Sequence, residues 1–366
     1  MSATAQPIAP LKASLRPLRY LVSFIGPGAV LVSLLSSGWW TFTAIVVPFF
    51  IIPTLELLLP EGTNNLEPDE ERRHWKNRAY DAVIYSMVPV QYALLGLYLW
   101  RMAGDWTWLE AVGLTWSIGI ACGVLGINVG HELGHRRKRS EQTMAKALLL
   151  TSGYVHFFVE HNRGHHTRVA TEEDPASSRR GEWLYAFWVR SVVCGYRGAW
   201  ALERERLERR NEPVWSWKNE MVRLSLAQAL FAGAVFAIGG VVGLVGWMIA
   251  ALLGALLLET VNYIEHYGLA RDKQEEGGYE RVQPHHSWNS DHPLGRLLLF
   301  ELTRHSDHHA NARRPYQVLR SFSDAPQFPT GYPGMMVLAF CPPLWFAVTH
   351  RILDARPAEP PASAAA

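Results

Sequence analysis

The stretch TWLEAVGLTWSIGIACGVLGINVGHELGH, residues 107–135, decides the fold. Residues 107–130 form an apolar run that meets the ~20 residues needed to cross a hydrocarbon core. His131-Glu132-Leu133-Gly134-His135 closes the run, and Arg136, Arg137, Lys138 and Arg139 follow at once. On a helix the two histidines leave the same face, so both imidazoles can close on one metal ion. Gly119, Gly123, Gly126, Gly130 and Gly134 make a stripe down one helix face, which lets a neighbouring helix approach closely. Taken alone, His131, Glu132 and His135 also fit the HExxH pattern of zinc peptidases, with Glu132 as general base. The rest of the chain has to arbitrate.

Apolar residues make up 49% of the 366 and are gathered into long blocks, while charge concentrates at 60–78, at 136–220 and after 267. That segregation marks a polytopic membrane protein. The prediction is an all-α integral membrane fold with six transmembrane helices near 18–36, 39–59, 79–102, 107–130, 222–242 and 245–266. Residues 1–17 read as a flexible tail, 18–355 as one membrane domain and 356–366 as a disordered tail. Ser36-Ser37-Gly38 makes a tight hairpin with Trp39 and Trp40 as interfacial anchors, and Gly243 and Gly246 hinge the last two runs. Ala145 to Phe158 is too short for a span and reads as a buried or re-entrant helix, Glu203 to Glu212 as a solvated helix, and Gly334 to Val348 as a packed or interfacial segment.

Lys and Arg fall almost wholly on one side of this topology, the opposite loops carrying only Arg101. The basic side is therefore expected to be cytoplasmic, with both termini there, in a bacterial inner membrane. The formal charge of +2 is uninformative, and lipid rather than nucleic acid is the expected environment. Cys122, Cys194 and Cys341 are far apart and form no CxxC, which favours small buried residues over a disulfide framework. No cleavable signal peptide is expected.

The histidines are fifteen, and their spacing says more than their number. Beyond HxxxH at His131 and His135 come HxxxHH at His161, His165 and His166, and HxxHH at His305, His308 and His309. His266, at the end of the sixth run, is a ninth candidate. One metal rarely takes more than six ligands, so this set implies two. Adjacent rings diverge by about 100° on a helix, so each doublet can serve two ions. His74 and His350 read as ordinary surface or interfacial residues, and His156, His285, His286 and His292 as hydrogen-bonded histidines. Glu132, Glu160, Glu259, Glu265 and Asp307, with Asp174, are candidates to orient the rings from behind.

At this point the chain resembles the integral-membrane di-iron family of fatty-acid desaturases and hydroxylases, and within it the alkane monooxygenase subfamily. The resemblance rests on His131 to His135, Glu160 to His166, Asn262 to Gly268 with its His-Tyr-Gly, Arg304 to Ala310, and Pro329 to Met335. His285 departs from the pattern, where an apolar residue is expected. The resemblance implies terminal hydroxylation of medium-chain n-alkanes with O2. It implies two iron ions held by His131, His135, His161, His165, His166, His266, His305, His308 and His309. It also implies electrons from rubredoxin, itself reduced by an NADH-dependent reductase; lacking paired CxxC motifs, the chain is expected to use a separate donor. Arg136 to Arg139, Arg163, Arg168, Arg179, Arg180, Arg313 and Arg314 form a basic surface where an acidic donor can dock or lipid headgroups can bind. A desaturase, or a hydroxylase of fatty acids or aryl-methyl groups, is the runner-up. An intramembrane zinc peptidase would leave seven histidines idle, and a metal transporter would spread its ligands along a pore.

Overall fold

The computed structural model describes residues 15–356, which are helices and loops with two isolated β-bridges and no strand. Among the described residues, five helices are long and apolar enough to cross a membrane: Arg16–Leu35, Gly38–Glu56, Ala79–Met102, Trp108–Gly134 and Glu220–His266. The six expected runs thus make five elements, because the last two runs are joined. Straight, the 47-residue element would extend about 70 Å, far beyond a ~30 Å hydrocarbon core. It folds back at Gly240, whose φ of 62° and ψ of −159° suit glycine alone. Phe231 and Trp247, on opposite arms, have ring centroids 5.6 Å apart. The expected hinge glycines are helical and serve contact instead: a Cβ at Gly246 would stand 2.2 Å from Tyr98 Oη.

Trp108–Gly134 is the central helix, 78% buried over its most apolar window against 17–44% in the other four. Its glycine stripe turns across two partners. A Cβ at Gly119 would lie 2.9 Å from Leu253 Cβ on the returning arm of Glu220–His266, and one at Gly126 would lie 1.9 Å from Ser152 Oγ. At the opposite end of the bundle from the histidines, Trp39 and Trp40 are exposed at the start of the second span.

The remaining helices build a cap over the histidine end. The expected buried piece 145–158 is not one helix: Arg139–Thr151 stops before Gly153, at φ 61°, and a new helix starts at Phe157. The Glu203 region is the end of a 25-residue helix, Leu184–Glu208. Glu203 itself is buried, ion-paired with Arg163 and Arg206, and accepts the Glu220 backbone N–H at 2.6 Å. Late in the chain, Tyr332–Ala339 and Pro342–Asp354 pack rather than skim the interface, burying Tyr332, Met335 and Trp345 against Tyr263 and Tyr267. Only Cys122 of the three cysteines is buried, and all are free. The expected tails fall outside the described residues except for 15–17 and 356; Arg16 and Pro17 already belong to the first helix.

Candidate metal centre

Four segments bring the nine singled-out histidines together. His131 and His135 end the central helix after a π-helical stretch, Cys122–Val129. His161, His165 and His166 lie on helix 157–168, whose middle, His161–His165, is also π-helical. His266 ends Glu220–His266, and His305, His308 and His309 share the short helix His305–Ala310. The wider turn brings His161 and His166, five apart, to one point, where their Nε2 atoms are 3.0 Å apart.

The rings form two groups. One holds His131, His135, His161, His166 and His308, the other His165, His266, His305 and His309, with the potential ligand atoms of each group within 4.8 Å of one another. Both doublets are divided, as the helical divergence predicts: His165 and His166 have centroids 5.8 Å apart at 74°, and His308 and His309 5.6 Å apart at 84°. His166 and His309 stack at 4.4 Å where the groups meet.

The donor set suits metal ions. In the first group Nε2 of His135 faces Nε2 of His131 at 3.2 Å and of His161 at 3.1 Å. In the second, His165 faces His309 and His266 faces His305, both at 3.2 Å between Nε2 atoms. A neutral ring carries one N–H, so such a string of facing nitrogens cannot be satisfied by hydrogen bonds alone. Two nitrogens bound at right angles to one ion, each at about 2.1 Å, would stand about 3.0 Å apart. His308 Nε2 is buried with no hydrogen-bond partner, a costly state that a metal would relieve.

Electrostatics keeps the cap rings in the form that ligation needs. Burial first, and then the neighbouring imidazoles, hold His161, His166, His305 and His309 well below the usual histidine range, and His308 is pushed down to about 3. His165 differs. Burial opposes its charge, but Asp174, with Oδ2 2.8 Å from Nδ1, together with Glu160 and Glu259 outweighs this and raises its pKa. Asp174 in turn accepts from Ser177 Oγ at 2.6 Å, so it fixes the ring from behind.

The five acidic candidates separate. Glu265 alone among them reaches a clustered ring, with Oε2 3.1 Å from His305 Nε2. Glu132 accepts from Arg136 at 2.9 Å and sits under the Tyr316 backbone N–H, turned toward the helix link rather than a water for peptide hydrolysis. Glu160 pairs with Arg168 at 3.0 Å, and Glu259 accepts from Tyr154 at 2.7 Å and from Ser191 at 2.5 Å. Asp307 accepts from Asn311 and from the Arg320 backbone, both at 2.8 Å.

Of the remaining histidines, His74 is buried and bonded to Tyr80 Oη at 2.8 Å, contrary to a surface reading, while His350 meets Tyr267 Oη at 2.9 Å. His156 is buried, which lowers its pKa to about 4. His286 lies 3.2 Å from Glu280, and His292 3.0 Å from Ser290 Oγ. Sequence reasoning missed Asn289. Its Oδ1 accepts from Ser306 N at 2.9 Å and its Nδ2 donates to Ser306 Oγ at 2.7 Å, anchoring the start of helix His305–Ala310. A lone asparagine carries no spacing signal that could have revealed it.

Membrane-length helices beneath a buried double histidine cluster define a class of integral-membrane protein with a candidate histidine metal centre. A family model described as fatty acid desaturase matches residues 106–339. Alkane 1-monooxygenase of Pseudomonas putida is 42% identical over 313 residues, covering 85% of this chain and 77% of that one. Its counterpart in Ectopseudomonas oleovorans is 43% identical, with 85% and 78% covered. The xylene/toluene monooxygenase hydroxylase component XylM of Pseudomonas putida is 28% identical over 90% of this chain and 87% of that one. The chain belongs to the fatty acid desaturase family and, within it, to the alkane 1-monooxygenases, which makes it an oxidoreductase.

Proposed function

We propose that this protein hydroxylates the terminal carbon of medium-chain n-alkanes with O2 at a di-iron centre, using electrons from rubredoxin. The observation that carries this is the convergence of nine histidines into groups of five and four, in a bundle that also holds an apolar chamber of about 110 Å³. The chamber is lined by Val30, Gly123, Leu258 and Leu299, and by Asn128 and Leu302, which stand just before His131 and His305 in the chain.

When bound, two irons supply the O2 activation that an unactivated C–H bond requires. The chain's own residues do the rest. The nine imidazoles hold the ions, and Asp174 fixes the His165 ring. An alkane offers no charge or hydrogen bond to grip, so the apolar chamber selects by shape and brings one end of the chain forward. Burial of the centre keeps bulk water from it.

Electron transfer needs a close approach, and of the nine histidines only His135 and His166 are partly exposed, with ring centroids 4.5 Å apart. Much of the expected basic surface is internally neutralised. Arg136 pairs with Asp81 and Glu132, Arg163 with Glu203 and Glu220, Arg168 with Glu160, Arg180 with Asp354, and Arg314 with Glu71. Arg137, Arg139 and Arg313 make no ion pair among the described residues and remain for an acidic rubredoxin. The excess of Lys and Arg in the loops on this side supports a cytoplasmic position for this face, at the inner membrane.

The test is turnover of decane under isotopically labelled O2 by full-length protein in nanodiscs, with rubredoxin, its reductase and NADH. Labelled 1-decanol and two irons per chain support the reading. An alkene points to desaturation, preferential conversion of xylene or a fatty acid points to the runner-up hydroxylases, and a single zinc per chain sinks it.

A further inference from the structure

Helix Leu184–Glu208 has the length of a span, 25 residues, but is not apolar enough to cross a membrane. It lies across the histidine end of the bundle. Near its start Phe187 packs on Tyr263, with ring centroids 5.4 Å apart, and Trp188 donates to Thr260 Oγ1 at 3.1 Å. Near its end Glu203 accepts the Glu220 N–H at 2.6 Å. The helix thus joins the two ends of Glu220–His266, which the bend at Gly240 brings to one side of the bundle.

Its outer face changes character along its length. Trp183, Tyr185, Val189, Val193 and Tyr196 are exposed at the start, whereas from Arg197 onward the exposed side chains are charged apart from Ala201. The adjoining arm makes the same change between exposed Arg223 and exposed Leu226. The two segments touch there, Arg206 donating to the Lys218 carbonyl at 2.7 Å, and Trp200 and Trp215 have centroids 5.6 Å apart. Trp215 and Trp217, in the link between the helices, are 82% and 66% exposed. An indole gains little from such exposure to water, but at headgroup level its ring meets acyl carbon and its N–H stays wet.

The cations at this boundary are free. Arg197, Arg204, Arg210 and Arg223 are exposed and make no ion pair among the described residues. Glu205 pairs with Arg209 and Glu212 with Lys218, which leaves Glu208 as the unpaired exposed acid of the stretch 197–223. Exposed aromatic rings beside a surplus of unpaired arginine complement a bilayer interface that carries negative charge. Arginine suits the position because its stem covers apolar surface while the guanidinium binds phosphate through two hydrogen bonds.

We propose that the outer face of Leu184–Glu208, with the link to Glu220, seats in the leaflet on the histidine side and binds anionic phospholipid headgroups through Arg197, Arg204 and Arg223. The inference is independent of the alkane-hydroxylation reading. It also gives the helix a mechanical role, because the opposite face holds helix 157–168: Glu203 pairs with Arg163, and a Cβ at Gly195 would stand 3.9 Å from Glu160 Cγ. Lipid that seats the outer face therefore steadies a segment carrying three of the nine histidines.

The experiment uses full-length protein, with retained lipid counted by native mass spectrometry after incubation with phosphatidylglycerol or phosphatidylcholine. Native protein should prefer phosphatidylglycerol, and the preference should fall as salt rises. Arg197→Gln, Arg204→Gln and Arg223→Gln should each lower the affinity for phosphatidylglycerol about fivefold and leave that for phosphatidylcholine unchanged. Arg281→Gln, at an exposed arginine in the loop after His266, should change neither. In nanodiscs, lipids with brominated acyl chains should quench an indole emission that Trp217→Phe removes. The proposal is overturned if the triple arginine variant retains phosphatidylglycerol as the native protein does, or if Arg281→Gln loses as much as the triple variant. It is equally overturned if the emission removed by Trp217→Phe is untouched by brominated lipid, which places that ring in water. Native lipid retention together with a weaker affinity for rubredoxin in the triple variant also overturns it, since the face then docks an acidic protein instead.

Discussion

His165 and Asp174 show how a single contact sets the state of a ligand. The 2.8 Å bond from Nδ1 to the carboxylate fixes the tautomer and aims Nε2 at His309. Asp174→Asn should therefore weaken metal retention by about 10–100-fold, read as iron lost to a competing chelator, whereas Glu132→Gln should leave retention closer to native because Glu132 touches Arg136 and not a ring. Equal losses in the two variants would refute this ranking. Gly331 is set by close approach. A Cβ there would stand 1.8 Å from Glu56 Oε2, whose other oxygen accepts the Gly295 N–H at 2.6 Å. Gly331→Ala should destabilise the protein by about 1–3 kcal/mol through overpacking, seen as a lower Tm, and an unchanged Tm would contradict it. At this scale the ligand candidates were legible because histidine spacing on a helix is a geometric statement. The carboxylates that reach the rings were less so: Asp174, behind His165, and Glu265, at His305 Nε2, were named only as neighbours among several acids, and nothing in their spacing separated them from Glu132 or Asp307.

Elements were legible where hydropathy alone forms them and illegible where a single residue redirects them. Ala79–Met102 matches its expected bounds because a long apolar run has one outcome in a membrane. The joint between the last two runs was misplaced because Gly240, Gly243 and Gly246 look alike in sequence, and only the packing of Leu99 and Tyr98 against the latter two distinguishes contact from bend. The link from the first span to the cap was not visible at all, since it is an ion cluster formed across distant segments. Glu301 is buried, which by itself would raise its pKa, yet Arg296, Arg19 and Arg304 outweigh burial and hold it at about 2 against an ordinary 4.5. A carboxylate depressed in the folded state adds stability that is fully present above pH 4.5 and is lost as pH falls toward 2. Native protein should accordingly lose stability through that window. Glu301→Gln should fall less steeply across it and be less stable at neutral pH by about 3 kcal/mol. Parallel acid-denaturation curves would show that the cluster contributes nothing.

At the scale of the molecule, the spans and the cap differ in what holds them. The spans are held by apolar packing and by the glycine contacts of the central helix, neither of which needs a metal. The cap around the centre relies on rings from four separate segments whose Nε2 atoms face one another, leaving His308 Nε2 without a partner. Facing nitrogens of neutral rings repel unless an ion or a proton lies between them, so an ion that binds only the assembled cap stabilises it by mass action. Stripping the proposed iron with a chelator should therefore act unevenly. Amide exchange should rise in helix 157–168 and in His305–Ala310, while Ala79–Met102 stays protected, because local opening follows the local balance of contacts. Restoring iron should reverse the change, and zinc should restore exchange protection without restoring alkane oxidation, since it can fill imidazole sites but has no redox chemistry. If iron removal leaves exchange in both cap helices unchanged, the histidines are held by the protein scaffold alone and the ion is a passenger in a rigid site. If the spans loosen together with the cap, the two layers fold as one unit and their separation here is mistaken.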